Sequence, residues 1–146
     1  MAGDRALTPA DAAVALRSFP RRFRAVFARP NDADERFDPD EVARRPATDG
    51  QSAVDHLASA IALVRAAGET ARHRDRSDPD DSSVDSSRPI GGLLDELDES
   101  ATGAASEVES VPNDAWSTDA IHAVQDAVAL VATALRAAGN AIADAR

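Results

Sequence analysis

Few residues in this chain can ligate a metal or carry a proton at neutral pH: 146 residues hold three His and no Cys. His122 and Asp126 stand four apart. That spacing places an imidazole and a carboxylate on one face of a helix, where they could share a divalent ion. A solvated helix surface carries such pairs equally well, so both readings stand at this point. His56 borders an apolar stripe, where a half-buried imidazole with a local hydrogen bond competes with a ligand. His73 lies among Arg72, Arg74 and Asp75 and reads as solvated. His56, His122 and Asp126 are the set that could supply three donors to zinc or nickel, provided the fold brings them together. The absence of Cys removes thiolate catalysis, disulfides and Cys-based zinc sites. No Ser sits on a strand-to-helix turn of the kind that exposes a hydrolytic nucleophile. Gly91-Gly92 could present backbone donors to an anion, but the longer glycine pattern and the preceding strand of a phosphate loop are missing. The pair reads as a flexible lead-in to a helix.

The elements that must position these residues are helices. From Ile121 onward, Ile121, Val124, Val128, Val131, Leu135, Ala138 and Ile142 repeat at alternating spacings of three and four, the pattern of a helix burying one stripe. Ser117 or Thr118 caps this helix. Val54, Leu57, Ile61, Val64 and Gly68 form a second stripe. It is headed by Ser52-Ala53-Val54-Asp55, a capping box, and fades near Arg72. Leu94, Leu97, Ala101, Ala104, Val108 and Val111 form a third, stopped by Pro112. The first helix starts at Thr8-Pro9-Ala10-Asp11 and carries Leu16, Phe19, Phe23 and Val26. Pro20 predicts a kink there or two abutting helices, and Arg29-Pro30 ends the segment. Between Asn31 and Gln51 runs a polar connection with a short helical turn near Asp40–Arg44. From about 73 to 92 the chain is rich in Asp, Ser and Pro, with Val84 as its apolar residue before Pro89. Composition makes this a mobile, solvated acidic loop, and shortening it between Asp75 and Pro89 should leave stability nearly unchanged. Trp116 is expected to plug the bundle end. No alternating strand pattern is present, so the expectation is one all-α domain, 1–146, built as a four-helix bundle.

Composition narrows the function classes. The net charge is −10 and every basic residue is Arg. Residues 1–29 carry six Arg against Asp4 and Asp11, while residues 75–126 carry Arg76 and Arg88 against fourteen acids. Arg21, Arg22, Arg24 and Arg29 could contact phosphate, but an exposed helix face paired with acidic neighbours is the simpler reading. The acidic total argues against general nucleic-acid binding. No run of apolar residues approaches the roughly 20 of a membrane span. No signal peptide is recognised, so no membrane is expected as partner and a cytoplasmic location is the default.

Taken in order, three segments resemble the DinB/YfiT-like superfamily, which includes mycothiol-dependent maleylpyruvate isomerase-type proteins. They are Ala15-Leu16-Arg17-Ser18-Phe19-Pro20-Arg21-Arg22-Phe23-Arg24-Ala25; Arg45-Pro46-Ala47-Thr48-Asp49-Gly50-Gln51-Ser52-Ala53-Val54-Asp55-His56-Leu57-Ala58; and Val111-Pro112-Asn113-Asp114-Ala115-Trp116. The resemblance implies an up-down-down-up four-helix bundle and a homodimer. It also implies a divalent-metal site built from one His on the second long helix and two His four apart on the last. Those positions fall on Ser59, and near Ala129 and Thr133, none of which is His. Gln51 stands where the family has Trp. The resemblance therefore implies the fold without its metal chemistry, with Val, Leu and Ala filling the vacated space as core. The expectation is a non-catalytic or degenerate member without a metal cofactor that binds a small-molecule ligand or a protein partner. The alternative is a divalent-metal-dependent transferase or isomerase using a low-molecular-weight thiol, with metal at His56, His122 and Asp126.

Overall fold

A computed structural model describes residues 8–28, 38–48 and 50–145. The Arg29-Pro30 terminator, Arg29 of the basic cluster and the first part of the polar connection lie outside the described residues. The rest is helical, with no strand among the described residues: α1 (Pro9–Phe27), α2 (Pro39–Arg44), α3 (Ala53–His73), α4 (Ile90–Ser110) and α5 (Thr118–Ala145). Two single 3-10 turns, Asp81–Ser83 and Asn113–Ala115, lie in the connections before α4 and α5.

Capping chemistry sets the starts. Thr8 accepts from the Asp11 amide at 3.1 Å. The Ser52 hydroxyl accepts from the Asp55 amide, and the Asp55 carboxylate accepts in return from the Ser52 amide at 2.8 Å. Each such exchange satisfies helix-end donors that have no partner inside the helix. Ser117 caps α5, accepting from the Ala120 amide at 3.1 Å. At Pro20 α1 continues as one helix rather than two abutting ones, with Pro20 itself buried. One boundary differs from the sequence reading. α4 begins at Ile90, so Gly91 and Gly92 form its first turn rather than a lead-in.

The apolar stripes meet in one core. Leu16, Phe19, Phe23, Leu57, Ile61, Leu93, Leu97, Val108, Val124 and Val131 are fully buried. Each long helix packs on two others: α1 on α4 and α5, α3 on α4 and α5. Named contacts fix how the pairs run. Arg65 meets Ser100, Gly68 abuts Ala104 and Arg72 pairs with Glu107, so residue numbers rise together along α3 and α4. Arg17 pairs with Glu109 and Arg24 with Asp95, so they run oppositely along α1 and α4. At Gly68 an added Cβ would lie 3.2 Å from the Ala104 Cα, the mark of two helix backbones in close approach.

The acidic segment before α4 is largely solvated yet tethered. Val84 is buried. The Arg44 guanidinium donates to the Ser86 carbonyl at 2.8 Å and the Arg88 carbonyl at 2.6 Å. Arg65 reaches Ser83, and the Thr70 hydroxyl accepts from the Ser77 amide at 3.0 Å. Glu96 on α4 pairs with Arg88 at 2.5 Å and Arg65 at 3.3 Å. Charged groups therefore hold a segment whose composition offers little hydrophobic anchorage. Asp85 within it accepts from the Ser87 hydroxyl at 2.5 Å and the Ser87 amide at 3.0 Å. These two bonds hold its carboxyl below the usual aspartate range, with Arg88 adding to the effect.

Candidate functional site

Among the described residues the inward face of the bundle is largely apolar, and the groove between α3 and α5 gathers polar and titratable side chains, His56 and Asp126 among them. α3 and α5 run oppositely, so each end of the groove joins the start of one helix to the end of the other. At one end His56, half-buried, faces Asn140, Ala141 and Asp144 across a recess of about 230 Å³ that Thr48 also borders. At the other end Leu63, Ala66, Ala67 and Thr70 face Ala123, Asp126, Ala127 and Leu130 across a smaller recess of about 70 Å³. The chain from Arg76 to Pro79 closes the far side of this second recess. Arg76 pairs with Asp119 at 3.6 Å and Asp126 at 3.5 Å.

This arrangement separates the three-donor set. Asp126 shares a recess with Thr70, and His122 lies one turn nearer the start of α5. His56 is fourteen residues from Thr70 along α3, roughly 21 Å at 1.5 Å per residue. His56 is thus brought together with neither His122 nor Asp126. No group of three His, Cys, Asp or Glu side chains converges among the described residues. His122 and Asp126 are both exposed, as the surface-pair reading has it. His73 is exposed and hydrogen-bonds Glu69 at 3.1 Å.

The positions matched to the family ligands are placed differently from the expectation. Ser59 is half-buried on α3, but Ala129 and Thr133 lie on the solvent side of α5. The Thr133 hydroxyl donates to the Ala129 carbonyl at 3.1 Å. Core side chains have not replaced a site at these two positions. At 3.6 residues per turn they stand about 160° around the helix from Val131. The buried arc is taken by Val124, Val128, Val131, Leu135 and Ala138.

Sequence reading missed the role of Arg76 and Leu130. Leu130 is 52% exposed, one of two large apolar side chains left so open among the described residues, the other being Val14. Its signal was its offset of one residue from the inward stripe. Trp116 is half-buried against the core, and its indole nitrogen has no hydrogen-bond partner among the described residues. Its position at the turn between α4 and α5 agrees with a plug at the bundle end. No family model, curated protein or solved structure matches the chain, so the function has to be argued from this groove.

Proposed function

We propose that the chain is a divergent DinB-like bundle that works by binding rather than by metal-dependent catalysis, and that its ligand is a small molecule seated on the α3–α5 groove. The order of the long helices supports the kinship. α3 and α4 rise together, α1 opposes α4, and α5 opposes α3, which composes into up-down-down-up. The binding reading rests on the lining of the groove. Ala66, Ala67, Ala123 and Ala127 form an apolar floor, Leu63 and Leu130 flank it, and Arg76 and Asp126 supply polar groups at one edge. Small-molecule sites characteristically combine an apolar surface with a few placed polar groups. The recess itself, about 70 Å³, is well below the roughly 300–1,000 Å³ of a site that engulfs its ligand. The ligand therefore lies mostly along the open groove over the two Leu, with one polar end at Arg76.

An anilinonaphthalene sulfonate probe tests this, having an aromatic body and one anionic end. The native protein should bind it saturably at about one per chain, and Leu63→Glu should abolish binding while leaving the helical circular dichroism spectrum intact. Absence of saturable binding, or binding indifferent to Leu63→Glu, overturns the reading. Elemental analysis of untagged protein addresses the catalytic alternative. About one zinc or nickel per chain, lost in a His56→Ala/His122→Ala variant, would instead favour the divalent-metal-dependent transferase or isomerase.

A further inference from the structure

We propose that the recess beside His56, at the end of the groove away from Arg76, is a second binding site and takes a small primary amine. The inference is independent of the ligand seated over Leu63 and Leu130. It begins from four polar side chains that the fold brings to one hollow and leaves without partners. His56, Asn140 and Asp144 border the recess together with Thr48. None of these four side chains makes a hydrogen bond or ion pair among the described residues. Their counterparts elsewhere are engaged: His73 bonds Glu69, Asp126 pairs with Arg76, and Thr70 accepts from Ser77.

The four come from three stretches of chain. Thr48 lies in the connection after α2, His56 near the start of α3, and Asn140 and Asp144 near the end of α5. The spacing of four puts the last two on one face of their helix. Ala47, Ala137 and Ala141 form the rest of the lining. Their small side chains are the reason for the hollow, since a Leu at such a position would fill it. The rim is held from two sides. The Ala47 amide donates to the Gln51 carbonyl at 2.8 Å and the Gly50 amide to the Ala47 carbonyl at 2.9 Å, with Gly50 in the left-handed region at φ 84°. Arg45 ties this connection to the end of α5, donating to the Ala145 carbonyl at 2.8 Å. A recess built before its ligand arrives loses little affinity to ordering.

Charge chooses the ligand. Among the described residues Asp144 is the one carboxylate in the lining, and no Arg lines it. Arg45, close by in sequence, is engaged by Glu41 as well as by the Ala145 carbonyl. Asp144 stands in the last turn of α5, where the helix dipole disfavours a carboxylate and favours a cation, and no described residue in that turn is basic. The hydrogen-bonding inventory then selects an ammonium. The Asp144 carboxylate, the Asn140 amide oxygen, the Thr48 hydroxyl and the unprotonated His56 nitrogen all accept. A primary ammonium brings three donors, and the alanine floor takes a short apolar body. A transition metal is served less well. Only His56 and Asp144 are of the kinds that normally ligate one, where a catalytic site uses about three protein ligands. At about 230 Å³ the recess lies just below the roughly 300–1,000 Å³ of sites for drug-sized ligands. That size suits a compact amine rather than a nucleotide.

Benzylamine is the probe, an ammonium on a short apolar body. Two-dimensional amide NMR of the full chain should show saturable shifts around His56 and residues 137–144. The dissociation constant should be about 1 mM or tighter, within the known affinity per non-hydrogen atom for so small a ligand. Benzoate, which reverses the charge, and tetramethylammonium, which has no N–H, should each bind at least about fivefold more weakly. Asp144→Asn should weaken benzylamine about fivefold without lowering the melting temperature, since the lost charge opposed the helix end. Ala137→Leu should abolish binding with every charge retained. Leu63→Glu should leave it unchanged, which separates this site from the one over the two Leu. Absence of saturable shifts, shifts centred elsewhere, or benzoate or tetramethylammonium binding as well as benzylamine overturns the proposal. So does binding indifferent to Asp144→Asn or to Ala137→Leu, or a melting temperature lowered by Asp144→Asn. Loss of benzylamine binding in Leu63→Glu overturns it too, leaving one continuous groove site. Zinc that shifts the same signals at lower concentration than benzylamine would assign the recess to a metal instead. Nα-acetyl-lysine methylamide binding more tightly than benzylamine would assign it to a lysine side chain of a partner protein.

Discussion

Gly68→Ala sets two opposing effects against each other at a place where their sizes can be compared. In an unhindered helix interior, Ala is favoured over Gly by about 1 kcal/mol. At Gly68 the new methyl would lie 3.2 Å from the Ala104 Cα and 3.3 Å from its Cβ. The nearer atom is backbone in the middle of a 21-residue helix, so relief requires a shift of α4 rather than a rotamer change. Overpacking of this kind costs about 1–3 kcal/mol. The net expectation is a loss of up to about 2 kcal/mol. Gly103 is the internal control, because it is exposed on α4 and an added Cβ meets nothing within 4 Å. There Gly→Ala should gain about 0.5–1 kcal/mol. Urea unfolding at one temperature compares the two, the midpoints being converted at unchanged m-value. The Gly68→Ala/Ala104→Gly double variant should recover part of the loss, since it moves the methyl from one helix to the other. If Gly68→Ala stabilises the protein as much as Gly103→Ala does, the close approach of α3 and α4 is refuted.

Leu97, fully buried on α4, should lose about 2–5 kcal/mol on truncation to Ala, measured by the same urea titration; a change of a few tenths would contradict its place in the core. Arg44→Ala removes both donors to the Ser86 and Arg88 carbonyls, one bond part-buried and the other exposed, and with solvent screening should cost about 1 kcal/mol. Amide exchange at residues 84–88 should accelerate while the interior of α3 is unaffected, and unchanged exchange there would show that Arg44 does not anchor the segment. Asp85 has a lowered pKa, so its contribution to order is complete at neutral pH and is lost as pH falls through its folded value. A carbon-13 carboxyl titration should place its midpoint below the ordinary aspartate value, and Ser87→Ala, which keeps the amide bond, should move it partway upward; an immobile midpoint would mean that the Ser87 hydroxyl does not hold the charge.

The helices were legible because their determinants are local. Ser52 and Asp55 sit where a capping box needs them, and Leu57, Ile61 and Val64 follow at helical spacing whatever they pack against. At Pro20 the local cost was visible in the sequence, while the burial of the ring inside one continuous helix was not. The start of α4 was misplaced for a related reason. Gly91 and Gly92 have weak propensity of their own, and their helical state is supported by the Pro89 carbonyl accepting from Leu93 at 3.1 Å. The candidate site was much less legible. His56, His122 and Asp126 are close in kind, but only the relative direction of α3 and α5 decides whether they meet. That direction is a property of the whole bundle. The acidic segment shows the same limit, because composition reports its lack of apolar anchors but not the arginines on α2 and α3 that reach it. Helical phase would have placed Ala129 and Thr133 outside, had it been measured from Val131 rather than from the matched motif.

The order of the helices has a kinetic corollary. The long helices consecutive in sequence are α1 and α3, α3 and α4, and α4 and α5. Of these pairs only α3 and α4 pack extensively on one another, and they do so side by side in the same direction. No long helix can therefore fold back on its immediate successor as a local hairpin. Each opposing pair, α1 with α4 and α3 with α5, must enclose an entire intervening helix before its contacts form. Closing those loops costs chain entropy ahead of any reward. A bundle wired this way should cross its folding barrier more slowly than an up-and-down bundle of equal length and stability.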